Sequence, residues 1–115
     1  MKNTQLHELV VTLDKVAKKE KVQIWKRISQ ELAKPTRNKR EVNITKLSKN
    51  TQKGDSVIVP GKVLGTGTIA HAITVVAHTW SDAAAAKITQ AGGSIRSIND
   101  EVRKNAKGAK LRIIG

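Results

Sequence analysis

The run Ile73-Thr74-Val75-Val76-Ala77-His78, followed by Ser81-Asp82-Ala83-Ala84-Ala85-Ala86-Lys87-Ile88-Thr89-Gln90 and closed by Ala91-Gly92-Gly93, decides the fold class of this chain. Ile73 to His78 shows no alternation of apolar and charged residues, so it reads as a strand covered on both faces. Ser81 or Asp82 can cap the helix that follows, since either side chain accepts a hydrogen bond from a free amide of the first turn. Four consecutive alanines let that helix pack closely on a sheet, and Gly92-Gly93 ends it. Ser94 to Ile98 then reads as a strand, Asn99 as the cap of a short helix through Lys104, and Leu111 to Ile114 as a last strand. Upstream, Ser56 to Val59 reads as a strand that stops at Pro60, which has no N–H for a ladder. Strands and helices alternate through this half, which is the pattern of an α/β arrangement.

The N-terminal third is helical. Leu6, Leu9, Val10, Leu13 and Val16 recur at helical spacing, predicting a helix over Gln5–Lys19 with Thr4 as its N-cap. Val22, Trp25, Ile28 and Leu32 predict a second over Val22–Ala33, ended by Pro35. The two form a helical hairpin, with Trp25 in the core.

Charge supplies the functional signal. The 115 residues hold 22 Lys and Arg against 9 Asp and Glu, a formal net charge of +13 that repels itself unless an anion lies against it. Nucleic acid, an anionic membrane and an acidic protein are the candidates. No long apolar run or targeting segment is visible, so no membrane association is expected. The absence of Cys fits a reducing compartment, with the cytoplasm expected. There is no Phe or Tyr and only Trp25 and Trp80, so a sheet that stacks bases on several aromatics is not expected, and contacts to RNA should be mostly phosphate, sugar and shape.

The charge is densest over residues 34–53, where Lys34, Arg37, Lys39, Arg40, Lys46, Lys49 and Lys53 face Glu41 alone, seven against one, for a net of +6. Asn43 caps a short helix carrying Ile44 and Leu47, which leaves Pro35 to Glu41 as an arm with no hydrophobic anchor. Each Lys or Arg can release a condensed counterion from a phosphate backbone, and Arg37 and Arg40 can fork onto one phosphate. The bland alternative is a solvated loop that keeps the protein soluble. The run Gly61-Lys62-Val63-Leu64-Gly65-Thr66-Gly67 matches neither a P-loop nor a dinucleotide fingerprint, so no nucleotide cofactor is expected. It reads as a turn in which Gly61, Gly65, Gly67 and Lys62 approach RNA phosphates, or as a purely structural turn. His7, His71 and His78 lack metal-ligand spacing, and Asp55, Asp82, Asp100 and Glu101 read as turn, cap and first-turn residues. Neither a metal site nor a catalytic grouping is expected.

Two runs carry a resemblance to a known family: Leu32-Ala33-Lys34-Pro35-Thr36-Arg37-Asn38-Lys39-Arg40-Glu41-Val42-Asn43-Ile44, and Val59-Pro60-Gly61-Lys62-Val63-Leu64-Gly65-Thr66-Gly67. They resemble the archaeal and eukaryotic large-subunit ribosomal protein eighteen-e family, a relative of bacterial large-subunit ribosomal protein fifteen. The capped alanine helix closing on Gly92-Gly93 and the ending Leu111-Arg112-Ile113-Ile114-Gly115 fit as well, and the lack of a long C-terminal extension looks archaeal. Thr36 and Asn38 depart from an arm that is denser in arginine in that family. The resemblance implies an irregular β-β-α superhelical core preceded by N-terminal helices, binding to large-subunit ribosomal RNA, neighbouring ribosomal proteins as partners, and no catalysis.

The expectation is a single domain over 1–115, with N-terminal helices at 1–33, a basic arm and short helix at 34–53, and an α/β core at 54–115. Its expected role is a structural constituent of the large ribosomal subunit in the cytoplasm, with no cofactor and no small-molecule substrate. A free-standing RNA chaperone shares the charge, and an RNA-acting enzyme would need acid and base groups meeting in one cleft.

Overall fold

The computed structural model describes residues 4–33, 40–105 and 111–114. Helices α1 (Thr4–Glu20) and α2 (Gln23–Leu32) lead into β1 (Arg40–Asn43), α3 (Ile44–Asn50), β2 (Ser56–Leu64), β3 (Thr74–Trp80), α4 (Asp82–Gln90), β4 (Ser94–Ser97), α5 (Ile98–Lys104) and β5 (Leu111–Ile113). The fold is mixed α/β. Its strands form one sheet in the order β1-β2-β3-β4, with β5 also against β2, and every pairing is parallel. β5 lies against Ser56–Ile58 and β1 against Gly61–Leu64, so the two short strands share one edge of the long β2.

β2 continues through Pro60, contrary to the stop expected there. Between the pairs Val59↔Ala77 and Lys62↔Thr79, β2 takes three steps while β3 takes two. Pro60 sits at this bulge, where the ladder is already interrupted and a missing N–H costs little.

Both faces of the sheet are covered. One carries α3 and α4, burying Ile44, Leu47, Ala84 and Ile88 against Val57, Val59, Val75 and Ala77. The other carries α1, α2 and α5, burying Leu13, Trp25, Ile28, Leu32, Ile98 and Val102 against Ile58 and Val76. The alternation of Val57, Ile58 and Val59 between the two cores follows from the two-residue period of a strand and explains the continuous apolar run. The placement of α5 opposite α3 and α4 has a topological cause. The crossovers β1-α3-β2 and β3-α4-β4 travel one way across the sheet, whereas β4-α5-β5 travels back, and crossovers of one hand then need opposite faces.

Local chemistry sets most element ends. Asn43 Oδ1 accepts from the Lys46 N–H at 2.9 Å and Ser81 Oγ from the Ala84 N–H at 3.2 Å, as the sequence predicts. The cap of α5 is Ser97, whose Oγ accepts from the Asp100 N–H at 3.1 Å, and not Asn99. Thr4 belongs to α1 rather than capping it. β1 departs from the sequence reading: Arg40 and Glu41, expected in an unanchored arm, stand in a strand whose next residue, Val42, is buried. The helical hairpin is present as read, and its Trp25 is fully buried.

Candidate nucleic-acid interface

Of the basic residues singled out in the sequence, Lys34, Arg37 and Lys39 lie outside the described residues, as does the side chain of Arg40. Lys46 and Lys49 project from α3 into solvent. Ile44 and Leu47 are fully buried on the other side of this short helix, so the two lysines stand on an anchored platform. Lys53 is exposed in the turn that follows. That turn is tied down: Gln52 N–H donates to Asp55 Oδ2 at 2.9 Å, Asp55 N–H to the Gln52 carbonyl at 3.0 Å, and Gly54 N–H to the Ala72 carbonyl at 2.8 Å.

Arg112, which the sequence does not single out, joins the same end of the molecule. Its guanidinium donates to the Asn50 carbonyl at the end of α3 and lies 3.4 Å from Asp55 Oδ2. The signal is weak because Arg112 stands alone among Leu111, Ile113 and Ile114, and only the pairing of β5 with β2 brings it beside α3. Thr51 completes the joint. Its hydroxyl donates to the Leu47 carbonyl at 2.7 Å, so its oxygen must accept from His71 Nε2 at 2.8 Å, which fixes the protonated ring nitrogen.

The glycine-rich run is not one turn. Gly61 is buried at the bulge of β2, so it is not a surface offered to phosphate. Lys62 is exposed, with Glu41 as its register partner across β1. Beyond the strand, a Cβ on Gly65 would stand 2.6 Å from Ala83 Cβ, and one on Gly67, at φ +105°, 2.7 Å from the Thr45 nitrogen. These two glycines let the loop press against the starts of α4 and α3. Lys87 Nζ then donates to the Gly65 and Gly67 carbonyls at 2.6 Å each, locking the loop from α4. Packing thus accounts for both glycines.

Several acid and base groups are spent on structure. Glu101 is buried with Arg96 Nε 2.8 Å from its Oε1, off the hydrogen-bonding line, and Asn105 Nδ2 donates to its Oε2 at 3.2 Å. Asp14 accepts from Ser29 Oγ at 2.6 Å and lies 3.6 Å from Lys26 Nζ. The Ser29 hydroxyl, helped by Lys26 and Lys18 and opposed by partial burial, holds the Asp14 carboxyl below its ordinary value. Glu8 and His78 share a cleft of about 580 Å³ with Thr12, Thr79, Asn99 and Arg103, between α1 and the ends of β3 and β4. Among the described residues, no three His, Asp or Glu side chains gather as a metal site, and no helix is long and apolar enough to cross a membrane.

A small basic α/β protein with its charge carried on anchored helices and turns is the class in which ribosomal proteins are found. The chain belongs to the family of ribosomal proteins 50S-L15 and 50S-L18e and their 60S counterpart, which it matches over residues 7–96. It is 41% identical over 112 residues to the large ribosomal subunit protein eL18 of Methanospirillum hungatei, covering 97% of this chain and 93% of that one. It is 38% identical to the eL18 of Archaeoglobus fulgidus, again over 112 residues, with 97% and 96% covered. The eL18 of Methanoregula boonei is 36% identical, with 97% and 93% covered. The family read from the arm and the glycine run is therefore shown, and the chain is a ribosomal protein, not an enzyme.

Proposed function

We propose that this chain is a structural constituent of the large ribosomal subunit, in the cytoplasm, and that it binds large-subunit ribosomal RNA through phosphate and shape. The observation that carries this reading is the presentation of Lys46, Lys49 and Lys53 on a rigid joint that the core, Thr51, His71 and Arg112 all brace. Anchored cations lose little freedom when a phosphate arrives, so their charge goes into binding. The arm residues Lys34, Arg37, Lys39 and Arg40 supply further phosphate contacts in this reading. The Gly65–Gly67 loop, pressed against the start of α3, borders this surface, and Lys62, exposed on β2, is a further phosphate contact. The hairpin shares a core with β2 and β3, which supports one domain over 1–115. Neighbouring large-subunit proteins are further partners, and no cofactor or small-molecule substrate is needed.

Binding of the purified protein to large-subunit RNA should fall steeply with salt, with a log-log slope of roughly −0.7 to −0.9 per neutralised phosphate. Replacing Arg37, Lys39 and Arg40 together by Ala should weaken binding and leave folding intact. A flat salt response would remove the electrostatic basis of the reading. A free-standing RNA chaperone would bind RNA with the same slope but would not cosediment stoichiometrically with large subunits at moderate salt.

A further inference from the structure

The helical hairpin carries a second basic surface that the sequence hides. Residues 14–31 hold six bases and three acids, a net of +3 that is ordinary in a chain of this charge. Over these residues the structure separates the two signs, leaving Glu8, near the start of α1, as the exposed acid on the outer side of that helix. Lys15, Lys18, Lys19, Lys21, Lys26 and Arg27 are all exposed, whereas Asp14, Glu20 and Glu31 are half-buried. Asp14 is further engaged by Ser29 and Lys26. At about 100° per residue, Lys15, Lys18 and Lys19 fall on the side of α1 opposite Leu13 and Ala17, which face the core.

Folding does not require this arrangement. Lys18 and Lys19 complement the negative C-terminal end of α1, but Lys15 stands one turn from Lys19 and Lys18 and repels both. Such a stripe is tolerated best against a polyanion. The hairpin packs on one face of the sheet and α3, with Lys46 and Lys49, on the other. A single RNA helix lying on one face cannot neutralise both.

We infer that the outer face of the helical hairpin is a second RNA-binding surface, and that the protein bridges two separate RNA segments held on opposite faces of its sheet. This rests on the RNA-binding reading above and adds a second RNA segment to it.

The test uses two short RNA duplexes, one with a donor and one with an acceptor fluorophore, and full-length protein in less than stoichiometric amount. One variant carries Lys15→Gln, Lys18→Gln and Lys19→Gln, the other Lys46→Gln, Lys49→Gln and Lys53→Gln, and circular dichroism checks that both fold. Wild type should bind one duplex and also give energy transfer between two. The hairpin variant should keep single-duplex binding and lose transfer, whereas the α3 variant should also lose transfer but bind a single duplex more weakly, with a log-log salt slope for that binding smaller by about 2–3 for three lysines. Transfer by the hairpin variant equal to wild type would overturn the inference, as would single-duplex binding by wild type without transfer. Failure of wild type to bind even one duplex would instead overturn the RNA-binding reading itself.

Discussion

Asp14 and Ser29 show how a single hydroxyl can set the acid limit of a helix pair. Ser29 is buried on α2, and its hydroxyl, which also lies 2.9 Å from the Lys26 carbonyl, donates to Asp14 Oδ1 on α1 at an oxygen–oxygen distance of 2.6 Å, which favours the ionised carboxylate. The folded-state value is depressed, so the stabilisation is fully present above the ordinary carboxylate value and is lost as pH falls through the lowered one. Ser29→Ala should therefore cost about 1 kcal/mol near neutral pH, reduced from a fully buried charged bond because Asp14 is partly wet. The gap between variant and wild type in urea unfolding should narrow as pH drops below about 3.8. A gap that stays constant with pH would mean that Ser29 acts through packing alone. Lys87 makes a second residue-scale case, because a lysine in so basic a chain invites assignment to RNA. Its two carbonyl partners at 2.6 Å make it a brace for the loop. Lys87→Ala should lower stability by about 1–2 kcal/mol. Gly67→Ala should cost about 2–3 kcal/mol, from its positive φ and the approach to Thr45. Thermal melts of the two variants check both values, and wild-type stability in either would remove the bracing role.

Elements are legible wherever local chemistry and tertiary packing agree. Asn43 and Ser81 are caps in sequence and in structure, and Ile73 to His78 reads as buried because both its faces are covered. Asn99 is the cap expected from sequence, and only the end of β4 at Ser97 shows that the helix starts two residues earlier. β1 is hidden because Arg40-Glu41-Val42-Asn43 offers only one apolar residue, and its strand conformation is imposed by the open edge of β2. Pro60 misleads for a similar reason, since only the partner strand reveals the bulge that accommodates it. The hairpin surface is illegible because its acids and bases alternate along the chain, and only folding turns the acids partly inward. The link between α1 and α2 has a consequence of its own. Lys21 sits at φ +57°, and the Val22 N–H donates to the Ala17 carbonyl at 3.1 Å, the closing bond of a Schellman turn. A lysine in this conformation is strained by about 1–2 kcal/mol, part of which glycine relieves at some cost in unfolded-chain entropy. Lys21→Gly should stabilise the protein by about 0.5–1 kcal/mol in denaturant titration, while Lys21→Ala should not. Equal effects of the two would locate the strain elsewhere.

At the scale of the molecule, the net charge of +13 and the placement of the acids act together. Glu101 is committed to Arg96, Asp14 to Ser29 and Lys26, and Asp55 to Arg112, so these three acids are tied to particular partners and offset the other surface cations little. Glu8, Glu41, Asp82 and Asp100 stay exposed, but the lysines and arginines outnumber them, and the surface on both faces of the sheet is predominantly cationic. In the free protein that surface repels itself, and the compact state concentrates the repulsion more than the unfolded chain does. Added salt shortens the reach of this repulsion, to about 10 Å at 0.1 M. Salt should therefore stabilise the free protein while it weakens RNA binding, two responses of opposite sign from one charge distribution. Raising sodium chloride from low to near-molar concentration should lift the melting temperature of the free protein by about 4 °C, the shift that corresponds to about 1 kcal/mol for a chain of this size. Fluorescence of the buried Trp25 reports the transition, and sulfate should be avoided because its exclusion from protein surfaces stabilises by another route. A melting temperature that falls with sodium chloride would mean that the internal ion pairs outweigh this repulsion. In that case bound RNA would not be relieving a strain stored in the fold, and the case for cationic surfaces on both faces would rest on binding data alone.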